Sequence, residues 1–194
     1  VAPSCTRCPA LVASRSRIVP GRGDLQSRIL FVGEAPGRHG ADRSGVPFVG
    51  DRSGKVFSRI LAELDLAPPE DDGARRRCFV TNVVRCCPPA NRTPTPREIT
   101  ACAPFLDAEL TLVDPLIIVP VGLVALRAIA RRLLAEEPVA IRPLHALPIP
   151  AGGRWIVPLV HPARISRAQI AAFCAAMRPL LAELGDAGFP LSRE

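Results

Sequence analysis

The chain of 194 residues is 48% apolar and carries a formal charge of +7. That is enough apolar material for one core without disulfides, and no uninterrupted apolar stretch approaches the roughly 18 residues of a membrane span. Arg7, Arg15 and Arg17 interrupt the first twenty residues, so no secretory leader is expected and the expected compartment is the cytoplasm, where cysteines stay reduced.

The cations are arginines apart from Lys55. Such an excess favours an anionic partner such as nucleic acid. Tyrosine is absent and aromatics make up 4%, which argues against broad stacking along single strands.

Residues 5–26 read as a loop-rich arm that opens with Cys5-x2-Cys8 and Pro9. Residues 28–33 (RILFVG) form the first apolar run, short enough for a buried strand. A glycine-rich turn, Gly33-Glu34-Ala35-Pro36-Gly37, follows it, then a loop over 38–45 and the string Val46-Pro47-Phe48-Val49-Gly50. Residues 55–66 repeat apolar side chains at helical spacing and stop before Pro68-Pro69. A second strand is predicted over 78–84 (CFVTNVV). Residues 90–96 are loop. Thr95-Pro96-Arg97-Glu98 then starts a helix over 95–113, with Thr95 as cap and Glu98 at the capping-box position. Residues 116–121 (LIIVPV) and 155–160 (WIVPLV) are the third and fourth strands. Helices are predicted over 123–137 and 167–184.

Strand–helix alternation at this spacing predicts a three-layer α/β/α sandwich around a central, mostly parallel four-stranded sheet. Its crossovers are expected to be right-handed. Residues 1–194 are read as one domain, with the arm 1–27 attached. Ligands of open α/β sheets lie beyond the carboxyl ends of the strands. Gly33 to Gly37, Asn82 and His161 all fall there.

Seven cysteines are present. Cys5 and Cys8 pair with the distant Cys86 and Cys102. Four thiolates from two segments suit a [4Fe–4S] cluster or, alternatively, a structural zinc. Cys87 competes with Cys86. Cys78 lies in an apolar strand and Cys174 in an apolar helix, so both are expected in the core.

The cysteine set, the Gly33-Glu34-Ala35-Pro36-Gly37 turn, the string Asn82-Val83-Val84-Arg85-Cys86-Cys87-Pro88-Pro89-Ala90-Asn91-Arg92 and His161-Pro162-Ala163 together resemble the iron–sulfur families of the uracil-DNA glycosylase superfamily. Glu34 and Asn82 are similar to family 4. His39-Gly40-Ala41, Gly50-Asp51-Arg52-Ser53-Gly54 and Pro88-Pro89-Ala90-Asn91 are similar to family 5. The resemblance implies that uracil-containing DNA is the partner, that the chain is a monomer, and that Cys5, Cys8, Cys86 and Cys102 hold a structural [4Fe–4S] cluster.

It also implies hydrolysis of the bond between uracil and deoxyribose, leaving an abasic site. Phe48 is then the stacking partner of a flipped base. Asn82 reads the uracil edge, and the backbone near Gly33 and Gly37 approaches it. His161 donates to uracil O2 as charge develops, and Arg164 reaches into the duplex. Glu34, Asp42 and Asp51 are the candidates to activate water. His39, on its loop, is a further candidate to meet sugar or water, while His145 has no motif around it. Small Gly40 and Ala41 point to an alternative, a broad-specificity glycosylase for hypoxanthine or xanthine. Another alternative is a non-catalytic uracil-DNA binding protein. A covalent branch of the superfamily uses a histidine in a basic inserted loop, and residues 91–96 (NRTPTP) lack one. A third class, an appendage of a replication protein, would need a second domain.

Overall fold

The computed structural model describes residues 4–68, 73 and 76–186. The first residues of the arm, Pro69 and residues 187–194 lie outside that set. The strands are β1 (Arg22–Gly23), β2 (Ile29–Gly33), β3 (Phe79–Asn82), β4 (Ile117–Pro120), β5 (Ile149–Ala151) and β6 (Arg154–Ile156), in the order β1-β3-β2-β4-β6-β5. The four central strands are parallel, as their apolar runs predict.

The sheet has six strands rather than four. The additions are outer antiparallel strands, β1 beside β3 and β5 beside β6. Neither is long enough to show a period-two pattern. Pro150 in β5 belongs on an edge, where a missing N–H breaks no central ladder. The fourth apolar run is regular only as far as Ile156, because Pro158 interrupts it. Val157 and Leu159 still donate to the carbonyls of Ile118 and Pro120 at 2.9 Å, which carries the chain alongside β4 toward His161.

The helices are α1 (Pro9–Ser14), α2 (Ala41–Ser44), α3 (Arg52–Glu63), α4 (Pro96–Val113), α5 (Leu123–Leu133) and α6 (Arg167–Asp186). α1 and α2 occupy stretches expected as loop, since a turn or so of helix leaves no readable periodicity. α3 starts earlier than its apolar pattern because Asp51 caps it, with Oδ1 accepting from Gly54 N at 2.8 Å. α4 carries the expected capping box between Thr95 and Glu98. α5 ends at Leu133, short of the expected 137.

Alternate residues of each strand feed two cores. Ile29 and Phe31 pack with Phe57, Ile60 and Leu61 of α3 and with Phe173 and Met177 of α6. Leu30 and Val32 pack with Leu11 of α1, Leu106 of α4, and Leu126 and Ile129 of α5. Every residue of β2, β3 and β4 is buried, so both sheet faces are covered and the strands read as continuous apolar runs. The chain leaves β2 for β3 on one side and later returns to β4 on the other. That switch point opens a crevice at the carboxyl end of β2.

Candidate active site and cysteine cavity

A cleft of about 810 Å³ occupies that crevice. Glu34, Gly37, Phe48, Asp51, Asn82, His161 and Arg164 all line it. Four separate segments thus deliver the predicted residues to one place.

Gly33 is the hinge of the arrangement. It stands in register with Asn82 across β2 and β3. A Cβ on Gly33 would lie 2.3 Å from Asn82 Oδ1 and 2.7 Å from the Phe48 ring. Only a bare Cα lets both side chains close on the strand end. Phe48 has φ of 58°, a left-handed conformation that a bulky residue rarely adopts and that concentrates at functional sites. Its ring stacks on Phe57, with centroids 4.3 Å apart and planes at 23°. Its centroid is 6.5 Å from that of His161.

His161 Nδ1 accepts from Ala163 N at 3.2 Å. In a neutral ring the proton therefore sits on Nε2, leaving that nitrogen a donor. Burial pushes its pKa below the ordinary value of 6.5; Asp51 opposes this and Arg164 adds to it. The imidazole is therefore neutral at pH 7. Glu34 is held above the ordinary carboxylate range by burial, opposed by a hydrogen bond from Thr93.

Asp42 is placed elsewhere. It is buried, and its two oxygens accept from Ser16 N at 3.0 and 3.1 Å. It anchors the arm and does not line the cleft. His39 is exposed on its loop and is not among the cleft's lining residues.

Asn91, Arg92, Thr93, Arg127 and Arg142 also line the cleft. Sequence reasoning assigned none of them. Arg92 is held by Glu98 through bonds of 2.7 and 2.8 Å, and Asn91 Oδ1 accepts from Arg38 N at 2.8 Å, tying the two loops together. His145 also has a place. Its Nδ1 accepts from Val160 N at 3.3 Å and its Nε2 lies 2.9 Å from Gln169 O, so it braces the chain next to His161. Asn91 and Arg92 fall within the motif string that starts at Asn82 without having been given a role; Arg127 of α5, and Thr93, Arg142 and His145 from loops and turns, carry no motif signal because none stands at a strand end.

Cys5, Cys8, Cys86 and Cys102 line one small cavity between the arm, α4 and the chain after β3. Arg7, Arg15 and Arg85 line it too, and Arg15 donates to Cys86 Sγ at 3.3 Å. Cys87 faces away, with Sγ 3.5 Å from Asn91 Oδ1. Burial raises the Cys8, Cys86 and Cys102 thiols. Among the described residues no three His, Cys, Asp or Glu side chains converge tightly enough to grip a single ion. Among the described residues the buried Nε of Arg85 has no partner. Four thiols, three guanidiniums and an orphaned donor suit a sulfur-rich anionic group. Cys78 and Cys174 are core residues as expected; Cys174 is pushed up to about 11 by burial and by Glu63.

Residues 20–185 match the uracil DNA glycosylase superfamily. The chain belongs to the uracil-DNA glycosylase superfamily. It is 39% identical over 165 residues to the type-4 uracil-DNA glycosylase of Thermotoga maritima, covering 84% of this chain and 78% of that one. It is 36% identical over 184 residues to the type-5 uracil-DNA glycosylase of Thermus thermophilus, covering 83% of each. A type-5 uracil-DNA glycosylase of Pyrobaculum aerophilum is 34% identical over 184 residues, covering 84% of this chain and 80% of the relative. Similarity of this superfamily member to both types bears out the mixed character of its motifs. The superfamily match begins at Pro20, so the Cys5–Cys8 pair lies ahead of it. No helix among the described residues is long and apolar enough to cross a membrane.

Proposed function

We propose that this protein is a DNA repair glycosylase that flips uracil out of DNA and hydrolyses its N-glycosidic bond, leaving an abasic site. One observation carries the site assignment: Phe48, Asn82, His161, Glu34 and Asp51 line a single cleft at the strand ends. Phe48 offers a flat face for the flipped base. The Asn82 amide matches uracil O4 and N3–H, an edge that cytosine lacks. His161, neutral with its proton on Nε2, donates to O2 as the base leaves with its bonding electrons. A neutral donor suits this role because it stabilises the developing anion without first losing an ion pair.

Glu34 takes the proton of the attacking water. Burial, which raises its pKa, suits it to the role of base. Asp51, fixed by its bond to Gly54 N, supplies negative charge near the cationic sugar. Arg164, exposed in the Pro162–Arg164 turn and lining the cleft, is the residue that would enter the duplex. Arg92, Arg127 and Arg142 face the phosphates.

Cys5, Cys8, Cys86 and Cys102 are the residues that would hold a [4Fe–4S] cluster. When bound, the cluster cross-links the arm to the chain after β3 and to α4. Zinc held by the same four thiolates is the alternative. Ala41, a small residue on the cleft wall, supports a second reading in which other deaminated bases also enter.

The test is excision from duplexes carrying a single uracil, hypoxanthine, xanthine or guanine-mispaired thymine, read after alkaline cleavage. Release at uracil supports the proposal, and added release at hypoxanthine or xanthine supports the wider pocket. Tight binding to uracil DNA without any release overturns the hydrolase.

A further inference from the structure

Arg85 is almost wholly enclosed, with 1% of its side chain exposed. It follows Asn82 by one turn of chain, so the segment passes from the cleft at Asn82 to the cysteine cavity at Arg85 and Cys86. The guanidinium is engaged on two sides. Nη1 donates to the main-chain carbonyl of Asn82, and Nη2 donates to Glu109 Oε2 of α4 at 2.5 Å. The third side, Nε, is buried and has no partner among the described residues, and Arg85 lines the cavity that the four cysteines share.

An enclosed guanidinium calls for both counter-charge and acceptors. Glu109 supplies one charge. Arg7 and Arg15 also face the cavity, so three guanidiniums surround four sulfurs. Neutral thiols cannot balance them, whereas four thiolates on an iron–sulfur core can, with sulfur as an acceptor.

We infer that Arg85 is a positioning residue that ties the Asn82 peptide to the cysteine cavity, so that the group filling the cavity governs how firmly Asn82 presents its amide to the base. This rests on the reading of Asn82 and of the cluster given above. The planar fork matters as much as the charge. It reaches a carbonyl and a carboxylate at once while the residue lines the cavity, which a lysine ammonium on a flexible stem does not reproduce. Asn82 also has little freedom elsewhere. Val83 and Val84 donate to the carbonyls of Gly33 and Glu34 at 2.8 and 3.0 Å, so a shift at Arg85 is passed to the strand end instead of being absorbed between.

The experiment compares wild type, Arg85→Lys, Asn82→Ala and the double variant. Iron content and the EPR signal of the reduced protein report on the cavity. Affinity for a non-hydrolysable uracil oligonucleotide, set against its cytosine counterpart, reports on recognition. Arg85→Lys is expected to retain iron, to shift the EPR signal, and to lose at least tenfold of the uracil preference. Adding it to Asn82→Ala is expected to change the preference no further. Iron-stripped wild type, checked for retained secondary structure, is expected to lose preference in the same direction. Full preference in an iron-loaded Arg85→Lys protein, or effects that multiply in the double variant, would overturn the inference while leaving the proposed function standing. An Asn82→Ala protein with intact preference would instead sink the assignment of Asn82, and the inference with it. If Arg85→Lys does not fold, Glu109→Gln releases the guanidinium's anchor and is expected to show the same loss. Wild-type preference there also overturns the idea.

Discussion

Replacing Gly33 by alanine tests the cleft with a single methyl group. The new Cβ would stand 2.3 Å from Asn82 Oδ1 and 2.7 Å from the Phe48 ring, where ordinary contact begins at 3.4 Å. The amide oxygen must therefore retreat by about 1.1 Å and the ring by about 0.7 Å. Gly33 is not among the positive-φ glycines, so its backbone accepts alanine without strain. The cost falls on the two side chains that meet the base. A misplacement of about 1 Å costs roughly 100-fold in rate, equivalent to about 2.7 kcal/mol of transition-state stabilisation. Overpacking lowers stability by about 1–3 kcal/mol. The assay is single-turnover excision from a uracil duplex, well below the Tm of the variant, with a melting curve alongside. Gly185→Ala serves as the control, since a Cβ there meets nothing within 4 Å. A Gly33→Ala enzyme within threefold of wild-type rate would refute the claim that this contact sets the geometry of recognition.

Four further outcomes are expected. Glu34 is held above its ordinary pKa of 4.5, so the excision rate should fall as pH drops through that raised value. Glu34→Gln should lower the rate and abolish this limb, whereas Asp51→Asn should lower the rate and keep it; a limb that survives Glu34→Gln removes Glu34 as the base. Iron analysis separates the adjacent cysteines: Cys86→Ser should lose the metal and Cys87→Ser should retain it, because only Cys86 faces the cavity. Thr95→Ala removes the cap of α4 and should cost about 1 kcal/mol in denaturant unfolding. Glu98 in the same box is depressed to about 2, first by Arg92. Its contribution is fully present above about pH 4.5 and is lost as pH falls toward 2. Glu98→Gln should flatten stability across that window, and an unchanged profile would contradict the pairing.

The sequence alone determined the central sheet, four long helices and the order of the motifs. Short continuous apolar runs bounded by turn residues read as strands covered on both faces, and glycine, asparagine and histidine at their ends mark the place where α/β sheets bind ligands. It also offered Cys5, Cys8, Cys86 and Cys102 as a ligand set, with Cys87 competing with Cys86, and these four line one cavity. The tertiary structure decided what local pattern does not encode. The two-residue and three-residue edge strands exist only because a neighbour offers free backbone groups. Asp42 and Asp51 look alike in sequence, yet one is buried against Ser16 of the arm while the other caps α3 at the cleft. Cys86 and Cys87 differ only in the direction their side chains take from one turn of chain. Arg85 reads as one more arginine until folding encloses it between a carbonyl, a carboxylate and the cysteine cavity. Periodicity is a property of neighbours along the chain. The partners of a charged group are set by segments that meet only when both cores close.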